Sequence, residues 1–167
     1  MKQLEKQCIF LLSDSIKIDK IKKKMAITKT IIGSNFPKEV IPLIENAKKT
    51  IDIFVFDWRN YPNDPANPVQ LFNQSIVRAS RRGISVRCIV GSSAILDFLG
   101  SVGIKAICPD CEGLVHSKFM IIDEKDIVIG SHNYTQHAFT KNQEVSTYLP
   151  DYSDIDNLQN FFNNIFK

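Results

Sequence analysis

The sequence predicts an α/β fold, a mixed, mostly parallel sheet flanked by helices, and three observations carry that expectation. From residue 27 onward apolar runs switch repeatedly between a period of two and a period near 3.6, so strands and helices alternate along the chain. The runs at 51–58 (IDIFVFDW) and 84–90 (ISVRCIV) are close to continuously apolar, as in strands buried on both faces. The chain has 167 residues, of which 44% are hydrophobic and 23% charged. That suits one compact core and excludes wholesale disorder, a coiled coil or a fibrous protein.

The elements follow in order. Residues 1–26 are lysine-rich, lack Gly and Pro, and read as a helix or arm preceding a single catalytic unit at 27–167. Residues 26–34 are strand-like and end at Gly33. Residues 37–49 are helical, with Val40, Leu43, Ile44 and Ala47 on one face and Pro37 suited to the first turn. Beyond the strand at 51–58 lies a loop rich in Pro and Asn at 60–68. Val69, Phe72, Ile76 and Ala79 recur at helical spacing, and Gly83 is a natural stop. A strand at 84–90, a helix at 92–102 closed by Gly103 and a short strand at 104–107 complete the alternating half. Residues 114–123 and 126–129 then read as two strands joined by a tight turn at Glu124-Lys125, and 143–149 as a third. A last helix at 153–166 puts Ile155, Leu158, Phe161, Phe162 and Ile165 on one face.

The formal charge is +3 and the pI about 8.6, basic but short of the excess of a dedicated nucleic-acid-binding module. It is unevenly placed: residues 1–30 hold eight lysines against Glu5, Asp14 and Asp19, which leaves the remainder slightly acidic. The cluster Lys20, Lys22, Lys23 and Lys24 suits a solvated helix face first, and otherwise a contact with phosphates or an anionic membrane. No span of about 18 apolar residues exists, and the run at 8–12 is too brief for a signal sequence. Four irregularly spaced cysteines do not make a disulfide framework. The expectation is a cytoplasmic protein without integral membrane association.

The chemistry gathers between residues 116 and 144. On a strand, residues two apart share a face, so His116 and Lys118 are expected to project together. An imidazole beside an ammonium suits a phosphate site, where lysine neutralises oxygens and histidine serves as nucleophile, acid or base. The turn Gly130-Ser131-His132-Asn133 offers backbone N–H groups, a hydroxyl and a carboxamide to the same ligand. Glu144 could hold one imidazole nitrogen of His116 and expose the other. Asp123, at a strand end, suits a structural acceptor better than a catalytic acid. His132 and His137 read as packing or surface residues. Cys108 and Cys111 form a lone CxxC, too few thiolates to close a zinc site, so a turn is expected, with no metal and no cofactor. Arg59, Arg81, Arg82 and Lys141 are candidates for phosphate contacts, with a solvated surface as the alternative.

The spacing H-x-K-x4-D-x6-G-S-x-N, with His116, Lys118, Asp123, Gly130, Ser131 and Asn133 at its fixed positions, resembles the HKD motif of the phospholipase D superfamily. Six fixed residues match by chance on the order of once in a million such chains. The stretch from Ile31 to Leu149, ending in the N-x-E at Glu144, is similar to the single-motif nucleases of that superfamily, the bacterial periplasmic endonuclease and the Zucchini-type proteins among them. The resemblance implies a site built from two motifs, one histidine attacking phosphorus and the other protonating the leaving oxygen. One motif per chain then implies a homodimer. The expected function is a metal-independent endonuclease acting on DNA or RNA through a phosphohistidine. His116, Lys118, Ser131, Asn133, Glu144 and Asp123 would form its centre, and Gly130, Arg59 and Lys141 would meet substrate. Two alternatives stand beside it, a lipid phosphodiesterase or phosphatidyl transferase and a catalytically idle nucleic-acid-binding dimer.

Overall fold

The computed structural model describes residues 27–167. The lysine-rich arm expected at 1–26 lies outside the described residues. Seven strands form one sheet in the order β1-β7-β6-β5-β2-β3-β4. They are β1 (Lys29–Ile32), β2 (Thr50–Val55), β3 (Ser85–Val90), β4 (Lys105–Ile107), β5 (Phe119–Ile122), β6 (Asp126–Gly130) and β7 (Val145–Leu149). The helices are α1 (Phe36–Asn46), α2 (Pro68–Arg81), α3 (Leu96–Ser101), α4 (Gln136–Thr140) and α5 (Ile155–Ile165).

The sheet is mixed and flanked by helices, but it is not mostly parallel. Only β2–β3 and β3–β4 run parallel, joined by the crossovers through α2 and α3. The pairs β1–β7, β7–β6, β6–β5 and β5–β2 are antiparallel. The reason lies in the connections. A crossover helix returns the chain in the same direction, whereas the tight turn after β5 can only reverse it. That turn centres on Asp123 and Glu124, both at positive φ (53° and 57°), one residue earlier than the sequence suggests.

Tertiary contacts also trim elements that periodicity extends. The first helix ends at Asn46 because the amides of Lys48, Lys49 and Thr50, which would continue it, donate instead to the Asp123 carboxylate at 2.7–3.2 Å. Helix α2 lies one residue earlier at each end than the expected 69–82, with Asn67 accepting the Val69 amide proton at 3.0 Å and Pro68 in the first turn.

Helices α1 to α4 cover one face of the sheet. Val40, Ile44, Phe72, Ile76, Leu99 and Phe139 pack there against Ile51, Ile53, Val55, Met120 and Val128. Among the described residues only α5 covers the other face, seating Phe162 on Phe54, Ile89, Phe119 and Ile121. It is tied down by Asp52, a buried carboxylate held by Arg87 through two contacts of 2.7 Å and by the Gln159 amide at 2.7 Å. The Arg87 guanidinium lies 5.0 and 5.3 Å from the ring centres of Phe162 and Phe166. Among the described residues no helix is long and apolar enough to cross a membrane.

Candidate active site

Two short segments meet at one end of the β5–β6 pair. Residues 116–118 lead into β5 and residues 130–134 leave β6; because Phe119 pairs with Ile129, Lys118 and Gly130 are brought face to face. The Gly130 amide donates to the Lys118 carbonyl at 3.1 Å. A side chain at Gly130 would collide with Ser146 and with the Val145 carbonyl, so the position must be glycine for β7 to approach. The structure gives Gly130 this steric part, and its amide, spent on Lys118, is not free for the substrate contact expected from the sequence.

The turn that follows is held on every side. The Ser131 amide donates to Val145 O at 2.9 Å, its hydroxyl donates to the Glu144 carboxylate, and the Val145 amide donates to that hydroxyl at 3.1 Å. His132 is buried and stacked on Phe36 with ring centres 4.4 Å apart. Its Nε2 lies 2.9 Å from the Gly33 carbonyl, which requires a proton on Nε2, so Nδ1 accepts from the Ser146 hydroxyl at 2.7 Å. Burial holds this imidazole below its ordinary pKa, against the opposing pull of Gly33 and Glu144. Asn133 accepts the Asp57 amide proton on Oδ1 at 3.1 Å, leaving its NH2 as the donor for a ligand.

The segment that carries His116 and Lys118 differs. Strand β5 begins only at Phe119, so His116 and Lys118 do not lie on a strand, and the expected alternation is not what brings them together. Phe56 does. Its ring centre is 5.3 Å from that of His116 and 5.6 Å from Lys118 Nζ, and that ammonium also donates to the His116 carbonyl at 2.5 Å. Gly91 makes room for the arrangement, since a Cβ there would sit 2.6 Å from the Phe56 ring and 2.7 Å from Val115 O. Burial lowers the Lys118 pKa, and the charge of Glu144 partly restores it. His116 is exposed, an accessible imidazole beside a desolvated cation.

The site therefore offers an accessible imidazole, an ammonium and a carboxamide, a set suited to a phosphoryl group, while the Ser131 hydroxyl gives its proton to Glu144. The family description "cardiolipin synthase, PLD-like domain" matches residues 40–166. The chain belongs to the phospholipase D superfamily. Its similarity extends to a 5′–3′ exonuclease, PLD3, of Xenopus tropicalis, 26% identical over an alignment of 163 residues that covers 88% of this chain and 32% of that protein. A virion nicking-joining enzyme of vaccinia virus (strain Western Reserve) is 29% identical over 135 residues, 71% of this chain and 32% of the relative. The chain spans about a third of the length of both curated relatives. The solved structure of Nuc, a phospholipase D family member from Salmonella typhimurium, superposes with a TM-score of 0.70 at 18% identity, covering 84% of this chain and 95% of that one. The fold is shared.

Within this phospholipase D fold the remaining expected residues separate. Glu144 does not hold His116; its carboxylate takes the Ser131 hydroxyl and the Asn142 amide at 3.0 Å. Asp123 sits at the far end of β5 and binds backbone. Burial would raise its pKa, but the amides of Lys49, Lys48 and Thr50 and the charge of Lys125 pull it lower, a structural acceptor and not a catalytic acid. Arg59 pairs with Asp57 at 2.7 Å, and Arg82 pairs with Glu45 at 3.0 Å, so neither is a free cation. Lys141 is exposed just past α4, and Arg81 is exposed at the end of α2. Cys108 and Cys111 lie in an exposed loop where the Cys111 thiol meets the Gly113 carbonyl at 3.0 Å. Among the described residues no three His, Cys, Asp or Glu side chains are grouped to hold a metal. Phe56 and Gly91 escaped the sequence reading, one hidden in an apolar run and the other at an ordinary strand end.

Proposed function

We propose that this chain is a metal-independent phosphodiesterase that cleaves nucleic acid, with His116 as nucleophile and a second copy of the chain supplying the acid. The observation that supports it is the convergence of His116 and Lys118 on Phe56 beside the Ser131–Asn133 turn. In the first step an imidazole nitrogen of one His116 bonds to phosphorus and the bond to the leaving oxygen breaks. That oxygen takes its proton from the partner's His116. In the second, water attacks the phosphohistidine, the same partner imidazole removes the water proton, and free His116 is regenerated. One histidine cannot stand on both sides of the phosphorus, which is why a second copy enters the reading. Lys118 and the Asn133 NH2 would stabilise the pentacoordinate charge. Nucleic acid is favoured as substrate because the relatives include an exonuclease and a nicking-joining enzyme.

A phospholipid reading has two observations on its side: the matching family description names a cardiolipin synthase, and the fold leaves an apolar cleft near the site. An apolar cleft of about 230 Å³ between the β6–β7 face and α5, lined by Ile127, Ile129, Leu149, Leu158 and Phe161, begins one residue from Gly130. The test is incubation with single-stranded DNA, duplex DNA, RNA and a labelled phospholipid, each in chelator, with His116→Asn as control. Cleavage of a nucleic acid in chelator that His116→Asn abolishes supports the proposal. Cleavage of the lipid alone, or undiminished activity of the variant, overturns it. Titrating the unmodified chain with excess His116→Asn tests the second copy: a site shared by two chains loses activity as mixed dimers with a single histidine form, and a lone-chain site keeps the activity of the unmodified chain.

A further inference from the structure

Beside the Ser131–Asn133 turn lies a polar pocket of about 270 Å³ that the phosphodiesterase chemistry does not use, lined by Asp57, Arg59, Tyr61, Gln136 and His137. Its two walls are fastened to each other and to the site. The Tyr134 amide donates to Asp57 O at 2.9 Å, the Arg59 amide donates to Tyr134 O at 3.0 Å, and the Gln136 amide donates to the Tyr61 hydroxyl at 3.2 Å. The Asp57 amide is the group that fixes Asn133. Buried Asn73 secures one wall from behind, accepting from the Trp58 indole at 2.7 Å and donating to Arg59 O at 3.0 Å. A ligand in this pocket would therefore lie next to whatever phosphate the Asn133 turn holds.

The chemistry of the lining selects the ligand class. Arg59 is the pocket's one full cation, and Asp57 neutralises it with contacts of 2.7 and 3.2 Å to Nε and Nη2. A second phosphate would have to compete with that carboxylate. What remains is flat: a phenol, an imidazole and the face of a paired guanidinium, surfaces on which a planar heterocycle stacks. The Gln136 carboxamide and the free Nη1 of Arg59 offer donors and an acceptor to its edge.

We infer that the pocket between Asp57–Tyr61 and Gln136–His137 is a nucleobase subsite that receives the base adjoining the scissile phosphate. The inference rests on the nucleic-acid reading above and gives Arg59 a different part from the phosphate contact expected from the sequence.

The test measures binding, so that it stands apart from catalysis. The full chain carrying His116→Asn is titrated with a fluorescein-labelled single strand, and with a series in which one base at a time is replaced by an abasic spacer. The expected result is about tenfold weaker binding when the spacer falls at one position, and little change elsewhere. Adding Tyr61→Ala reduces that positional penalty to about twofold; His137→Ala, at an exposed position, does the same in part and serves if the tyrosine variant fails to fold. No measurable binding, a penalty equal at all positions, or a penalty unchanged in the variants overturns the subsite. Should the unmodified chain cleave no nucleic acid while the positional penalty persists, the subsite stands and the phosphodiesterase reading falls.

Discussion

The two halves of the candidate site are built to different standards of rigidity. In the turn 130–134, both backbone and side chains are committed: Gly130 to Lys118, Ser131 to Val145 and Glu144, His132 to Gly33 and Ser146, Asn133 to Asp57. The segment 114–118 has no strand pairing, leaves Leu114 76% exposed and rests on the face of Phe56. The difference follows from what each half must do. Groups that stabilise charge act best when fixed before the reaction, since no reorganisation is then needed as charge develops. A nucleophile must be reachable, and in the proposed reading its segment is where a second copy completes the site.

That contrast can be broken from either side. The largest effect is expected from His116→Asn, which on the proposed chemistry lowers nucleic-acid cleavage on the order of a thousandfold or more while leaving the thermal midpoint unchanged. Steady-state assays and circular dichroism read the two quantities. Lys118→Met should lower kcat about a hundredfold with little change in stability, as expected for removal of one charge-stabilising donor. Gly130→Ala attacks the rigid half and should lose about 1–3 kcal/mol in denaturant unfolding, because β7 must move to admit a methyl group. Phe56→Leu keeps the volume but removes the aromatic face, and should cost about 1 kcal/mol or less in stability and roughly tenfold in activity. A stability loss larger than the activity loss would show that Phe56 supports the core and not the nucleophile segment.

The smallest effect is a pH dependence. Burial depresses the His132 pKa in the folded state, so the unfolded chain binds the proton more readily. The stability contributed by neutral His132 is complete above the unfolded value of 6.5 and is lost as the pH falls from there toward the folded value. Denaturant midpoints measured on either side of pH 6.5 should show this decline, and a His132→Gln variant should flatten it.

Much of the site was legible in the sequence because the HKD spacing is short-range: two segments at the ends of neighbouring strands, a few residues from a tight turn. His132 was readable as a packing residue and is buried and hydrogen-bonded; Asp123, counted with the centre through the motif although its place at a strand end suited a structural acceptor, binds only backbone amides at the far end of β5. Glu144 was misread as a partner of His116, since sequence order cannot say whether a carboxylate faces an imidazole or the hydroxyl nearer to it. Phe56 had no signal of its own within IDIFVFDW, where one more aromatic among apolar neighbours looks like core. Arg59 looked like a free cation until its pairing with Asp57 was seen.

By itself the sequence determined the order of the main strands and helices and the motif that carries the chemistry. These depend on local periodicity, on Gly and Pro, and on residues close together in the chain. Only the tertiary structure decided which strands are neighbours. The parallel character suggested by alternating elements holds for β2, β3 and β4, but the hairpin after β5 and the docking of β1 on β7 make the rest antiparallel. Strand direction depends on how connections close in space. The ring under His116 and the carboxylate beside Arg59 likewise depend on groups brought together by folding, at separations that no local pattern records.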